Sequence, residues 1–294
     1  MNNLRTMLEA SGLIVHGLAG RAAMVQIEEI QRQGTKVVAG VSSSKNGQQL
    51  AGIPLYATIA EAAAETGADV ALLFVPAQHA KAATLDALDA GMRLVVLLAE
   101  GVPVLDVLAI RERVGTARLI GPNSPGVVVP GVAKLGFMPT QAVSAGRVGL
   151  VSRSGTLSYE VSRSLSERGV GISSWIGIGG DVVPFTSMAE AAQLVAHDPD
   201  TDVLVVVGEI GGTGEEGLAQ AMVDGLVDVP VHALIVGESA RPDEPLGHAG
   251  AVMLGDAGSY DSKVRRLREA GVVVHHTPWQ LADAVTELTR GAVR

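Results

Sequence analysis

The 294-residue chain contains no cysteine. Disulfides, zinc–thiolate sites, iron–sulfur clusters and a cysteine nucleophile are thereby excluded. Aromatic residues make up only 3% of the sequence, which leaves little with which to stack the bases of a single strand. Basic side chains are outnumbered, 22 against 31 acidic, for a net charge of −9. Bulk attraction to nucleic acid or to an anionic membrane is therefore disfavoured, although a local basic pocket is not. No stretch approaches the ~18 consecutive apolar residues of a membrane helix. The opening Met1-Asn2-Asn3-Leu4-Arg5-Thr6 has neither the basic nor the apolar region of a signal peptide. The expectation is a cytoplasmic protein with neither a nucleic acid nor a membrane as partner.

What the chain does have is glycine, 36 residues of it, and 47% hydrophobic residues, so its core must be built from Ala, Val, Leu and Ile. At ~150 residues per domain the length suggests two domains. Short β-branched runs at Leu13–His16, Lys36–Val41, Asp69–Val75, Arg93–Leu98 and Arg118–Ile120 read as strands. A second set follows at Arg147–Ser152, Ile172–Ile178, Asp202–Val207, Val231–Val236 and Val272–His275. Helical patterns lie between them, such as Gln78–Ala90, Thr156–Arg168 and Ser259–Ala270. The strands are continuous apolar runs, as burial on both faces of a parallel sheet demands. Their alternation with helices predicts an α/β chain of right-handed βαβ units. The rhythm breaks once, between Gly121 and Gly146, where Pro122, Pro125, Pro130 and Pro139 fall without helical period. This divides the chain into a domain over 1–125, an ordered connection over 126–146 and a second domain over 147–294.

The turn after the first strand reads His16-Gly17-Leu18-Ala19-Gly20-Arg21-Ala22-Ala23. Gly17 and Gly20 permit a tight turn and a close ligand, and the helix that follows offers free N–H groups to a phosphate. Taken alone the pattern fits a plain strand–helix turn equally well. After the second strand, Ser42-Ser43-Ser44-Lys45-Asn46-Gly47 has no acidic residue for a nicotinamide ribose. Lys45 among serines suits a phosphorylated sugar better, although a single lysine is most often a solvated loop charge. The next strand ends carry Val75-Pro76-Ala77, Glu100-Gly101-Val102-Pro103 and Asn123-Ser124-Pro125-Gly126, each explicable singly as a structural turn. In the second half, Ser152-Arg153-Ser154-Gly155-Thr156-Leu157-Ser158-Tyr159 runs a strand into a helix start. That presents hydroxyls and N–H groups to an anion, or merely an N-cap. It lacks the GxxxxGK[ST] spacing of a Walker A loop. Glu209 in Gly208-Glu209-Ile210-Gly211-Gly212 and His248 in Gly247-His248-Ala249-Gly250-Ala251 both fall at strand ends. A carboxylate can fix an imidazole tautomer and leave the other nitrogen nucleophilic.

Taken in order, Gly34-Thr35-Lys36-Val37-Val38, Ile120 through Gly126, Val151 through Leu157, Gly177-Ile178-Gly179-Gly180-Asp181, Gly208 through Gly212 and Gly247 through Ala251 resemble the α-subunits of succinyl-CoA synthetase, the ADP/GDP-forming acyl-CoA ligases. The resemblance extends from near residue 12 to near 285. It implies a Rossmann-like CoA-binding domain followed by a flavodoxin-like ligase domain, both with parallel sheets. It further implies that His248 takes a phosphoryl group from ATP or GTP, held with Mg on a separate ATP-grasp β-subunit. The phosphoryl group then activates a small dicarboxylate as an acyl phosphate, and the thiol of coenzyme A forms the thioester. In this family reading Glu209 orients His248, and Ser154, Gly155 and Thr156 cradle the phosphoryl group. Tyr159 meets the substrate. Coenzyme A lies over Gly17, Leu18, Ala19, Gly20, Arg21, Ala22, Lys45, Val75, Pro76, Ala77, Glu100, Asn123, Ser124 and Pro125, and no metal site belongs to this chain. Assembly as αβ or (αβ)2 is open.

The sequence departs from the family pattern in four places. Ala19 replaces a threonine, Ser43-Ser44-Lys45-Asn46-Gly47 replaces PGKGG, Val182 replaces a proline and Ser124 stands where a cysteine is common. The first two changes bear on coenzyme A and keep two alternatives open: a ligase for another acid such as malate, or a CoA-binding subunit without turnover. A nicotinamide oxidoreductase is the third reading. It is weakened by the missing acid after the second strand and leaves residues 147–294 unexplained.

Overall fold

The computed structural model describes residues 3–9, 11–141, 143–240, 248–251 and 258–291. Its first half runs α1 (Leu4–Glu9), β1 (Leu13–His16), α2 (Arg21–Arg32), β2 (Val37–Val41), β3 (Gln49–Leu50), β4 (Ile53–Tyr56), α3 (Ile59–Thr66) and β5 (Val70–Leu73). It continues with α4 (Ala77–Asp89), β6 (Leu94–Leu97), α5 (Val104–Arg111) and β7 (Arg118–Ile120). The second half runs β8 (Gly126–Val129), β9 (Ala133–Gly136), β10 (Ala145–Ser152), α6 (Gly155–Ser166), β11 (Ile172–Gly177) and α7 (Met188–Ala196). After these come β12 (Val203–Glu209), α8 (Gly214–Val223), β13 (Val231–Val236), α9 (Tyr260–Glu269), β14 (Val273–His275) and α10 (Pro278–Gly291).

The apolar runs form the sheet centres for the reason the sequence suggests. Every residue of β5, β6 and β12 is buried, as a strand covered by helices on both faces requires. The first sheet has seven strands in the order β3-β4-β2-β1-β5-β6-β7. All its pairs are parallel except the β3–β4 hairpin. Setting β3 aside, the chain winds outward in both directions from β1, which is the dinucleotide-type doubly wound order. The second sheet also has seven strands, ordered β14-β13-β12-β10-β11-β8-β9. Its five parallel strands β10 to β14 follow the 2-1-3-4-5 order of flavodoxin-like folds. In such sheets ligands bind beyond the carboxyl ends of strands, where the winding reverses. That point lies between β1 and β5 in the first sheet and between β10 and β12 in the second.

The segment read from sequence as a connection holds more than a connection. Its residues form β8 and β9, a hairpin that joins the second sheet antiparallel to β11. The second sheet is thus mixed, with a parallel body and an antiparallel edge. The hairpin also reaches the first sheet's helix α2: Lys134 Nζ donates to Gln26 Oε1 at 2.9 Å, and Thr35 Oγ1 donates to Lys134 O at 3.1 Å. Val127, Val129 and Leu135 share one apolar cluster with Leu13, Val15 and Ile27 on one side and Val151 and Ile176 on the other. Asn123 N donates to Ala99 O at 2.7 Å and Phe185 N to Gly121 O at 2.8 Å. These contacts bring loops of the two sheets together.

Candidate functional site

At the switch point of the first sheet, Gly17 has φ +83, and a Cβ there would lie 2.4 Å from Phe74 O. Only glycine tolerates this backbone and this approach. Gly20 N closes the turn on Gly17 O at 2.8 Å. Gly20 is also the N-cap of α2 and provides no side-chain cap, so the helix start keeps N–H groups directed outward. Leu18 and Ala23 are fully buried: Leu18 fills space over Gly40, and Ala23 permits close helix–sheet packing. Ala19 is half-buried, whereas Arg21 and Ala22 are exposed at the helix start. Facing them across the switch point are half-buried Val75, exposed Pro76 and half-buried Ala77 at the start of α4. Lys45 stands exposed at the end of a short 3-10 turn beyond β2. A glycine turn of close approach and an uncapped helix start are features that suit a phosphate-bearing ligand.

The third part of the predicted cradle has other duties. Ser124 is buried, and its hydroxyl donates to Gly177 O at 2.5 Å and accepts from Gly126 N at 2.9 Å. Pro125 packs into the space beside Gly177. Asn123 Nδ2 donates to Asp181 Oδ1 at 3.0 Å. This loop therefore binds the two sheets to one another.

At the switch point of the second sheet, β12 ends on Glu209, which is 6% exposed. Its Oε2 lies 2.7 Å from His248 Nδ1. His248 is 30% exposed in its side chain and rests against Gly180, where a Cβ would lie 2.6 Å from the imidazole Cγ. Gly250 N donates to Gly180 O at 3.0 Å and fixes the backbone around the ring. A neutral His248 that donates from Nδ1 to Glu209 keeps a lone pair on Nε2. The hydrogen bond to Glu209 raises the His248 pKa above its ordinary value; burial and the Arg153 charge oppose it, while Glu100 adds to it. Burial also raises the Asp181 pKa, opposed by Asn123 and reinforced by Glu100. Exposed Glu100, predicted as part of the cofactor cradle, thus extends its field to the imidazole. Gly247 of the predicted histidine segment lies outside the described residues.

Helix α6 begins where β10 ends. Ser154 caps it by accepting from Leu157 N at 3.3 Å, so the capping reading of this serine holds. Gly155 and Thr156 form the first turn, with Thr156 exposed. Tyr159, one turn on, is half-buried and meets Trp175 edge-on with ring centroids 5.8 Å apart. Three residues join the site that motif reading passed over: Arg153, Glu215 and Lys263, all buried and all linked to the Glu209 turn. The visible signal for the first is an arginine directly after β10, between Ser152 and Ser154. A 320 Å³ cleft near the other end of the first sheet, lined in part by Leu8, Ser11 and Lys36, includes none of the candidate residues. No helix among the described residues is long and apolar enough to cross a membrane.

A Rossmann-like unit with an anion cradle at its switch point, followed by a flavodoxin-like unit with a carboxylate–histidine pair at its own, defines a two-part α/β protein of the CoA-binding and CoA-ligase class. Residues 9–101 match the family model of the CoA binding domain, and residues 151–273 match that of CoA-ligase. The chain is 40% identical to the succinate–CoA ligase [ADP-forming] subunit alpha of Aquifex aeolicus, over 95% of this chain and 92% of that protein. It is also 40% identical to subunit alpha 1 of Archaeoglobus fulgidus, over 96% of each. The chain belongs to the family of succinate–CoA ligase alpha subunits. Among solved structures, ATP citrate lyase of Methanosaeta concilii superposes with a TM-score of 0.87 at 24% identity. That match covers 97% of this chain but only 51% of the longer one, so it concerns the fold and about half of that protein.

Proposed function

We propose that this chain is the alpha subunit of an ADP-forming succinate–CoA ligase, an acid–thiol ligase in which His248 carries the phosphoryl group. The observation that supports it most is the 2.7 Å contact between His248 Nδ1 and buried Glu209, placed at the reversal of the second sheet. With Nδ1 committed to Glu209, the Nε2 lone pair attacks the terminal phosphorus of a nucleotide. The bond to the bridging oxygen breaks, and the nucleoside diphosphate leaves with that electron pair. Glu209 stabilises the positive charge on the ring and prevents rotation. The first-turn amides of α6, with Thr156, are assigned to hold the transferred charge, because a helix start favours an anion. A carboxylate oxygen then displaces His248 from phosphorus and becomes an acyl phosphate. Coenzyme A, assigned to the Gly17–Ala22 turn and the uncapped start of α2, supplies the thiol. Its sulfur bonds to the acyl carbon, the carbon–oxygen bond to phosphate breaks, and inorganic phosphate leaves with that electron pair while the thiol gives up its proton.

The nucleotide and its Mg belong in this proposal to an ATP-grasp beta subunit, since the named relatives are alpha subunits. Tyr159 is assigned to the substrate side, and the cytoplasmic setting expected from the sequence is part of the proposal. Ala19 and the Ser43–Gly47 loop keep malate as a second candidate acid.

The test is to co-express the chain with its ATP-grasp partner and supply ATP labelled at the γ-phosphate. A base-stable, acid-labile label is expected, lost in His248→Asn. Coenzyme A-dependent release of ADP with succinate, and not with malate, identifies the acid. Label persisting in His248→Asn defeats the assignment.

A further inference from the structure

The Ser-Arg-Ser-Gly-Thr motif draws attention to its hydroxyls, yet the side chain most deeply committed to the site is Arg153, 7% exposed. Its Nη1 donates to Gly211 O at 2.7 Å and lies 3.9 Å from Glu215 Oε1. Its Nη2 lies 3.4 Å from Glu209 Oε1. Glu215 Oε1 accepts from Glu209 N at 3.1 Å, and Glu215 Oε2 is paired with Lys263 Nζ. Lys263, fully buried, also donates to Gly212 O and to Glu216 Oε2, each at 3.0 Å. Both carbonyls of the Gly211-Gly212 turn are therefore held by cations. Charges of alternating sign run from Lys263 through Glu215, Arg153 and Glu209 to His248.

A buried ion network is weak evidence of stabilisation, because apolar side chains of equal volume commonly serve a core as well. The Glu209 carboxylate indicates another role. Oε2 faces His248, whereas Oε1 is buried and has no hydrogen-bond partner among the described residues. The cation beside it is Arg153 Nη2, an ion pair at 3.4 Å. A carboxylate fixed at one oxygen only can rotate; one paired at both oxygens is held in one orientation.

We infer that Arg153 is a positioning residue: anchored through Nη1 on Gly211 and by the Glu215–Lys263 pair, it uses Nη2 to keep Glu209 Oε1 turned away, so that Oε2 alone meets His248. The inference rests on the reading of His248 as phosphoryl carrier for its purpose, but not for its geometry. Four charged groups bear on the imidazole: Glu209 and Glu100 favour its protonation, Arg153 opposes it, and Asp181 is coupled to it from the β11 loop.

Arg153→Lys keeps the charge and removes the fork, so it separates positioning from simple electrostatics. The first reading is NMR titration of the His248 ring nitrogens in the full chain, which requires neither nucleotide nor partner. Wild type is expected to hold the Nδ1–H tautomer and to titrate above ordinary histidine. Arg153→Lys should lose the tautomer preference and titrate closer to ordinary histidine. It should add no further change in a Glu209→Gln background, since its effect passes through Glu209. With the partner present, labelling should slow about 10²-fold, the cost of a small misplacement of a reacting group. If Arg153→Lys fails to fold, Glu215→Gln takes its place with the same expected directions. Titration identical to wild type, or an equal shift in the Glu209→Gln background, overturns the inference. Expected titration without any labelling of wild type leaves Arg153 as positioning residue and defeats the phosphoryl-carrier reading instead.

Discussion

Gly180→Ala tests the site at the point where backbone meets imidazole. The added methyl would lie 2.6 Å from His248 Cγ, 2.7 Å from Nδ1 and 2.9 Å from Cδ2. Ordinary contact begins near 3.4 Å, so the ring must retreat by about 0.8 Å. Gly180 is not among the positive-φ residues, so alanine fits its backbone, but the atoms it meets are the stem of a ring held at Nδ1 by Glu209. Stability should therefore fall by ~1–3 kcal/mol, as overpacking costs. The chemistry is more sensitive still. A displacement approaching 1 Å in a reacting group costs ~10² in rate, about 2.7 kcal/mol at 1.36 kcal/mol per factor of ten. The assay is the single-turnover rate of label transfer to the chain in the presence of its ATP-grasp partner, with thermal melts of the same samples. A variant that remains folded at the assay temperature, with a lowered melting point, and labels ~10²-fold more slowly is expected. Wild-type labelling by the intact variant would refute the role of ring placement.

The same geometry carries three further outcomes. In Glu209→Gln the main cause of the raised His248 pKa is gone; because the protonated ring is not nucleophilic, the acid limb of the labelling rate should move to lower pH while the plateau falls. Gly17→Ala forces a side chain into φ +83 and against Phe74 O. It should cost ~1–3 kcal/mol in denaturant melts and weaken coenzyme A at least about tenfold by calorimetry. His232, buried and stacked on His275, has its pKa lowered to about 4 by burial and by that neighbour. The unfolded chain binds this proton from near pH 6.5 downward, so stability is lost as pH falls from about 6.5 to about 4. About 2 kcal/mol should disappear between pH 7 and pH 5 in urea titrations, and His232→Gln should lack that component.

The doubly wound halves were legible because continuous apolar runs carry their own signature: strands such as β5 and β12 coincide with sequence runs that nothing polar interrupts. The edge hairpin was not legible in the same way. Val127, Val128 and Val129 are a short run between Pro125 and Pro130, too brief for a period, and Val128 and Val127 pair with Trp175 and Ile176 of β11, 47 and 49 residues later. Helix α1, six residues long, falls below the length at which periodicity is readable. In the site, His248 and Glu209 stand out through their glycine flanks, which local sequence records. Arg153, Glu215 and Lys263 do not, because their meaning lies in each other. Lys263 in a charged helix looks like a solvated face until packing buries it completely. Ser124, expected from sequence in the coenzyme A cradle, also bonds Gly177 O, a partner far along the chain that local sequence does not record.

Helix α2 starts on a glycine that has no side chain with which to close it. Its first amides are left for water, or for an anion that arrives from outside. A ligand in that position becomes the missing first element of the helix, completing secondary structure as well as occupying a surface. Its arrival should therefore be felt along Arg21–Arg32 as slowed amide exchange, and through Gln26 and Lys134 into the β8–β9 hairpin of the second sheet.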